Sequence, residues 1–349
     1  MKSQIAKLNA YQPGLSPKAL KAKYHIEGEL YKHASNENVF GPSPKVKEAI
    51  QTSMDDLFLY PEPNAPQLQK AIAKHLEIEP ERIIFGAGLD EMIVIISRTL
   101  LRAGDKVVTS EATFGQYFHN AVVEDANMVQ VPLKHGSYDL DAIAEAVDKD
   151  TAIVWLCNPN NPTGTYHSHE AIEAFIKKIP ANVTIILDEA YGEYVTAADF
   201  PRTLELMETY PNVAMLRTFS KAYALAALRI GYMVTTKTLA SKLNVLRPPF
   251  NTTRLSEQAA LAALKDQAHL QKAVAINQRE REKFYEIDTN LKLYPSQTNF
   301  VFVETSEATK LNQALLQAGI IAREFPNGVR ITIGFPEQNK VIREVLAQF

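Results

Sequence analysis

Short apolar runs recur along this chain, each set between stretches with helical spacing, and this alternation restricts the fold more than any other feature. Residues 82–85, 106–109, 128–131, 152–156, 183–187, 214–216 and 231–234 read as strands. Residues 44–52, 66–76, 90–101, 114–124, 141–147 and 170–179 read as helices. Strands of continuous apolar character need cover on both faces, and crossover helices supply it. The expected fold is therefore α/β, a mostly parallel sheet flanked by helices. Ligands of such sheets sit beyond the carboxyl ends of the strands. Polar residues just after the apolar runs are thus the candidates for chemistry.

The pattern changes at both ends. Residues 1–40 are punctuated by Pro13, Gly14, Pro17 and Gly28, and read as an arm with one short helix at 17–23. From about Thr252 a long helical region, 256–286, interrupted in places, precedes a strand at 300–304, a helix at 308–317, a strand at 329–333 and a helix at 340–348. That is a smaller α+β unit, and Pro248-Pro249 interrupt the pattern before it. The expected organisation is an arm at 1–40 packing with the small domain, a large domain at 41–247 and the small C-terminal domain at 248–349.

Charge narrows the partners. Lys plus Arg number 37 and Asp plus Glu 40, a formal net charge of −3, which advertises neither nucleic acid nor an anionic membrane surface as a partner. The one cysteine, Cys157, excludes a disulfide within the chain and fits a reducing compartment. Met1-Lys2-Ser3-Gln4 continues polar, without the apolar region of a signal peptide, and no apolar run approaches the length of a membrane span. The expectation is a soluble, cytoplasmic protein. The histidines, His167 and His169 included, show no metal-ligand spacing, so no metal is expected.

Four segments carry candidate chemistry. Thr218-Phe219-Ser220-Lys221 and the following Arg229 set a lysine and an arginine in an otherwise apolar stretch. A desolvated ammonium loses its proton more readily, which Schiff-base chemistry requires; a lysine snorkelling at the edge of the core reads the same way. The apolar run 183–187 ends in Asp188-Glu189, with Tyr191 beyond. Asp188 suits a carboxylate that keeps a pyridine nitrogen protonated, or one that caps the next turn. Asn158-Pro159-Asn160-Asn161-Pro162-Thr163-Gly164 makes a rigid turn after the run 152–156, which places an asparagine firmly or is a sharp turn and nothing more. Gly86-Ala87-Gly88-Leu89-Asp90-Glu91 joins a strand to a helix, where small residues and free N–H groups suit an anion. It lacks the Gly-Lys-Ser/Thr of a nucleotide-binding loop and the spacing of the dinucleotide fingerprint.

In this order, phosphate loop, asparagine turn, aspartate strand end, lysine and arginine, the segments resemble the fold-type I pyridoxal-phosphate aminotransferases, over nearly the whole chain. The resemblance narrows to histidinol-phosphate aminotransferases at Asn36-Glu37-Asn38, Gly41-Pro42-Ser43-Pro44, Tyr60-Pro61-Glu62-Pro63, Thr113-Phe114-Gly115-Gln116-Tyr117, Arg247-Pro248-Pro249-Phe250-Asn251 and Val329-Arg330-Ile331-Thr332-Ile333-Gly334.

The resemblance implies pyridoxal 5'-phosphate as cofactor, held by the large domain. It makes Lys221 the residue joined to the cofactor and then the proton-transferring base, Asp188 the partner of the ring nitrogen, and Asn161 and Tyr191 the partners of the ring hydroxyl oxygen. Phe114 stacks on the ring; many relatives have tyrosine there. Backbone N–H groups of Leu89 and Asp90, the Ser220 hydroxyl and Arg229 hold the phosphate, completed by Tyr60 from the neighbouring subunit of a homodimer. Arg330 takes the substrate carboxylate, and Arg323 and Tyr11 approach its far end. The partners implied are an amino donor and a 2-oxo acid: histidinol phosphate and 2-oxoglutarate, giving imidazole-acetol phosphate and glutamate in L-histidine biosynthesis.

The chain departs from the pattern at Val39-Phe40, where proline is usual, at Leu89, where serine or alanine is usual, and at Glu111-Ala112. None of these removes a catalytic group. Relatives acting on phenylalanine or tyrosine share most of the framework, as do decarboxylases of phosphorylated amino acids. A non-catalytic binding protein on this scaffold needs a partner segment that the short, weakly basic residues 1–40 do not resemble.

Overall fold

The structure is a computed structural model and describes residues 3–9, 17–24 and 28–349. Seven strands form the large sheet: β1 (Ile83–Gly86), β2 (Lys106–Ser110), β3 (Asn127–Val131), β4 (Thr151–Cys157), β5 (Thr184–Asp188), β6 (Val213–Thr218) and β7 (Gly231–Val234). Their spatial order is β1-β7-β6-β5-β4-β2-β3. Pairings from β3 through β6 are parallel, and β7 is antiparallel to both β6 and β1. The sheet is α/β as its apolar runs require, with Ile153, Val154, Ile185, Ile186, Leu216 and Met233 buried.

This order decides where a ligand can sit. The chain leaves β2 outward to β3, then returns to β4 and proceeds the other way to β5 and β6, so the switch point lies between β2 and β4. Cys157 is level with Asp188, and Asp188 with Leu216. Gly231, the first residue of β7, lies level with Thr218 and Gly86, the last residues of β6 and β1. The loops after β1, β2, β4, β5 and β6 therefore emerge at one edge.

A second sheet comprises β8 (Lys292–Leu293), β9 (Phe300–Glu304), β10 (Arg323–Phe325) and β11 (Gly328–Thr332), in the antiparallel order β8-β9-β11-β10. It has its own core, which includes Phe284, Val301, Leu311, Val329, Ile331 and Ile342. The larger core takes in Ala259, Ala260, Ala263, Leu264 and Phe300 from beyond residue 247. Upstream, Tyr31–Lys32 adds a short parallel edge to Ile320–Ile321. There the Thr332 N–H donates to the His33 carbonyl at 2.8 Å, leading the N-terminal segment toward the large sheet.

Several expected boundaries move. The helical region 256–286 is two helices, Arg254–Leu264 and Gln267–Glu282, followed by a 3-10 turn at Lys283–Glu286. The break falls at Lys265-Asp266, where no apolar residue is available for the core. The helix expected at 90–101 begins at Gly88, and that expected at 340–348 begins at Pro336, where proline fits the first helical position. The helix expected at 170–179 is His169–Ile176, capped by the Ser168 hydroxyl. Helices Thr203–Thr209 and Lys237–Leu246 and the short strands Lys292–Leu293 and Arg323–Phe325 went unread.

Ile186 is completely buried in β5, one turn of pleat before the site edge. Ile186→Ala is expected to lower unfolding stability by about 2–5 kcal/mol, the range for a collapsed or open core cavity. Urea titration checks it, and a loss under about 1 kcal/mol contradicts the packing described.

Candidate active site

Lys221 stands three residues past β6. The loop that carries it folds back on itself: the Phe219 N–H donates to the Ile230 carbonyl at 3.1 Å and the Leu225 N–H to the Phe219 carbonyl at 3.0 Å. Phe219 anchors the loop, its ring 4.8 Å from that of Tyr223 and 6.0 Å from that of Tyr232. Lys221 Nζ donates to the Ser35 carbonyl at 3.1 Å and lies 5.7 Å from the centre of the Tyr191 ring. Burial pushes the Lys221 ammonium down to about 8; Arg330 and Arg229 push the same way, while Glu37 and Asp90 oppose. This is a half-buried amine turned inward, and the snorkelling alternative does not hold.

Asp188 closes β5 and is 2 % exposed. Its Oδ2 accepts the Tyr117 hydroxyl proton at 2.5 Å and its Oδ1 accepts the Ala190 N–H at 3.1 Å. The carboxylate therefore does cap the following turn, and it also faces the switch point. Burial raises it to about 6, against the opposing hydrogen bonds from Tyr117 and Ala190; the charges of Glu189 and Asp90 add to the rise. Tyr117, which no sequence argument singled out, stacks on Trp155 at 4.6 Å and 8°. Phe114 meets the Tyr117 ring edge-on at 5.7 Å. Glu189 is committed elsewhere, to Arg217 Nη2 at 2.6 Å and to the Thr203 hydroxyl. Adjacent strand residues face opposite ways, so the carboxylate pair serves two different environments.

The turn after β4 is tied at several points. The Asn158 side chain donates to the His167 carbonyl at 3.2 Å and accepts the His167 N–H at 2.8 Å, and Asn160 Nδ2 donates to the Ala112 carbonyl at 3.0 Å. Both Asn-Pro bonds are cis. This holds Asn161, whose Oδ1 accepts from Arg330 Nη1. Arg330 reaches in from β11, donates through Nη2 to the Ala34 carbonyl at 2.6 Å, and lies 5.4 Å above the Phe300 ring. The Tyr191 hydroxyl accepts from Asn36 Nδ2 at 2.9 Å. Burial pushes the Tyr191 phenol upward; Arg330 and Asn36 act against that. Cys157 is a buried small side chain whose thiol burial also pushes upward.

The loop after β1 enters the helix Gly88–Leu100, whose first-turn N–H groups lack intrahelical acceptors. Gly88 has φ +77°, and a Cβ there would lie 2.4 Å from Arg229 Nη2. The positive φ favours glycine here, and a Cβ would push the Arg229 guanidinium aside. Arg229 Nη2 lies 3.3 Å from Asp90 Oδ2 in a half-exposed pair, which solvent screens. Leu89 and Ser220 are buried beside them. A helix N-terminus, a guanidinium and a hydroxyl are the kinds of group that can hold an anion.

Of the remaining expected residues, one lies at the surface, one lies beside Arg330 and one falls outside the described residues. Tyr60 is 78 % exposed and stacks on Phe250 at 4.8 Å, away from Lys221's own crevice. Arg323 sits directly across the β10–β11 pair from Arg330 and half-buried. Tyr11 lies outside the described residues. Among the described residues no group of three or more His, Cys, Asp or Glu side chains converges on a metal position.

A lysine whose folded pKa is depressed binds fewer protons folded than unfolded between about 8 and its solvated value near 10.4, so rising pH stabilises the fold across that window. The same shift makes Lys221 nucleophilic at a lower pH than a solvated lysine. Reductive ¹³C-methylation followed by NMR titration is expected to show Lys221 changing near pH 8, and a titration near pH 10.4 contradicts the burial described.

Comparison with known proteins agrees with this geometry. The model of the family "Aminotransferase class I and II" matches residues 30–346. The histidinol-phosphate aminotransferases of Staphylococcus haemolyticus and Staphylococcus saprophyticus are each 60% identical over 349 residues, covering 100% of this chain and 99% of theirs. The crystal structure of histidinol-phosphate aminotransferase from Sinorhizobium meliloti in complex with pyridoxal-5'-phosphate superimposes with a TM-score of 0.90 at 30% identity, covering 100% of this chain and 96% of that one. With its lysine, strand-end aspartate and glycine-gated arginine at one edge of such a sheet, this chain belongs to the class I and II aminotransferase family.

Proposed function

We propose that the protein is a pyridoxal 5'-phosphate-dependent transaminase that converts histidinol phosphate and 2-oxoglutarate to imidazole-acetol phosphate and glutamate, in L-histidine biosynthesis. The observation that carries the reading is full-length 60% identity to relatives of that name, joined to a desolvated Lys221 at the strand edge that also holds Asp188. The residues fit the cofactor: a glycine turn that brings Arg229 close, a buried carboxylate without an ion-pair partner among the described residues, and an amine that loses its proton near pH 8. When bound, the cofactor supplies an aldehyde that takes up an amine and a protonated ring that withdraws electrons.

The side chains supply the rest. Gly88, Leu89, Asp90, Ser220 and Arg229 hold the phosphate. Asp188, ionised above about pH 6, would keep the ring nitrogen protonated, with Tyr117 donating to its Oδ2. Asn161 and Tyr191 orient the ring hydroxyl oxygen, and Phe114 covers one ring face. Lys221 would be the residue joined to the cofactor, and its Nζ, when free and neutral, would carry the proton between the amine-bearing carbon of the substrate and the cofactor carbon. Arg330 binds the carboxylate of glutamate or 2-oxoglutarate as a planar fork, with Arg323 and Tyr11 toward the outer anion.

In this reading residues 41–247 form the cofactor-holding domain, whose core also takes in helix Arg254–Leu264, the small domain lies within 248–349, and 1–40 is an arm packing with the small domain. Two protomers share each site. Met54, Leu57, Phe58, Tyr60, Val245 and Phe250 are large apolar side chains left exposed, with Tyr60 stacked on Phe250, of the kind that a second copy covers, and Tyr60 reaches the partner's phosphate cradle. The lone buried Cys157 and an absence, among the described residues, of any helix long and apolar enough to cross a membrane agree with a cytoplasmic enzyme.

The purified protein is expected to be yellow, to change spectrum on adding glutamate, and to turn over histidinol phosphate in preference to phenylalanine or tyrosine. Faster turnover of either aromatic amino acid reassigns the substrate and leaves the chemistry standing. Lys221→Ala is expected to abolish multiple turnover, by at least about four orders of magnitude given the combined loss of covalent and base catalysis; retained turnover refutes the mechanism.

Tyr60→Phe is expected to weaken cofactor retention by about tenfold, the scale of one hydrogen bond to an anion. Subunit exchange with Lys221→Ala then creates hybrid dimers with one site intact. Wild-type cofactor affinity in half the sites confirms a shared site, and unchanged affinity after verified exchange rules it out.

A further inference from the structure

Asn36 is 1 % exposed and occupies the left-handed region at φ 58°, which asparagine tolerates better than most residues. It meets three parts of the molecule at once. The Asn36 N–H donates to Thr332 Oγ1 at 3.0 Å, and the Thr332 hydroxyl in turn donates to Asn36 Oδ1 at 3.0 Å. Asn299 Nδ2 donates to the Asn36 carbonyl at 3.0 Å. Asn36 Nδ2 donates to the Tyr191 hydroxyl oxygen at 2.9 Å.

These bonds are not interchangeable. A threonine hydroxyl has one proton. Because Thr332 Oγ1 accepts the backbone N–H of Asn36, its proton goes to Asn36 Oδ1. That commits the oxygen end of the Asn36 amide to Thr332 and leaves the NH₂ end for Tyr191, which settles an orientation that an amide otherwise leaves ambiguous. Tyr191 also has a single proton. With Asn36 donating to its oxygen, that proton is directed to another acceptor. The other groups facing the Tyr191 ring and hydroxyl are Arg330 from β11, Lys221 from the loop after β6, and Asp188 and Cys157 from the strand ends. The arginine and the lysine in its charged form are donors, and the Asp188 carboxylate already accepts from the Tyr117 hydroxyl and the Ala190 N–H.

We propose that Asn36 is a positioning residue: through a Thr332–Asn36–Tyr191 relay it aims the Tyr191 hydroxyl proton at the ring oxygen of the bound cofactor. The relay begins on β11 two residues after Arg330, on the same face of the strand, so the strand that binds substrate also sets the direction of the Tyr191 proton. The inference rests on the reading that Tyr191 faces a pyridoxal ring.

The absorbance of the holoenzyme against pH tests it. A donor to the ring oxygen weakens the hold of that oxygen on the neighbouring imine proton, so the chromophore midpoint rises when the donor is lost or misdirected. Asn36→Gly keeps the backbone angle and the backbone bonds to Thr332 and Asn299 and deletes only the amide. Its midpoint is expected to rise by about half to one pH unit, the effect of one hydrogen bond. In a Tyr191→Phe background the same substitution is expected to add nothing, because the two act in series. Thr332→Val, which frees the amide to turn, is expected to shift the midpoint the same way by a smaller amount, and carries the test should Asn36→Gly not fold. An unshifted midpoint in the folded variant, or an equal shift in the Tyr191→Phe background, overturns the relay. An unshifted midpoint in Tyr191→Phe alone instead overturns the placement of Tyr191 against the ring.

Discussion

Removing water from one amine and one carboxylate is the physical act on which the site depends. Lys221 and Asp188 both have burial as the largest influence on their proton affinity, and it moves them in opposite directions. Each would be costly in an ordinary core. The strand ends of a covered parallel sheet are the place where such groups sit beside polar backbone, Asp188 out of solvent and Lys221 half-buried. Leu187 and Leu216 bury the strands up to the edge, and only there does the chain change to Asp188 and, after Thr218, to Lys221. Tyr117, braced on Trp155, supplies the hydrogen bond that partly offsets the cost at Asp188.

The second constraint is that the site belongs to neither sheet alone. Three consecutive residues of the N-terminal segment each touch a different candidate: the Ala34 carbonyl accepts from Arg330, the Ser35 carbonyl from Lys221, and the Asn36 side chain donates to Tyr191. Two residues on, Asn38 Nδ2 donates to the Ala222 carbonyl at 2.8 Å, beside Lys221. A short run of chain thereby sets the distance between an arginine on β11 and an amine beyond β6. Backbone carbonyls do most of this, which makes the coupling depend on the path of the chain more than on the identity of Ala34 or Ser35.

Much of this was legible in the residues. Apolar runs marked all seven strands of the large sheet within one or two residues, because strands buried on both faces leave little freedom in composition. Asp188 and Lys221 stood out because a charge at the end of an apolar run is rare. Boundaries were less legible where a polar residue or a proline starts a helix, as at His169 and Pro336, or where a surface helix such as Lys237–Leu246 has a weak apolar face. Tyr117 was hidden because an aromatic at helical spacing from Phe114 reads as core. Asn36 was quoted within a family motif with no role, and only its positive φ and its three partners give it one.

The sequence by itself determined the layer architecture and the local chemistry: which runs form strands, which loops carry glycine, and which charged side chains the chain places at strand ends. Those follow from side-chain polarity and spacing over a few residues. Only the tertiary structure decided that Asp188 meets Tyr117 from a different crossover, that Gly88 must yield its Cβ position to Arg229, and that Thr332, Asn36 and Tyr191 form one line. These contacts join residues 71 to 296 positions apart, and their geometry is set by strand order and register, which no local pattern contains.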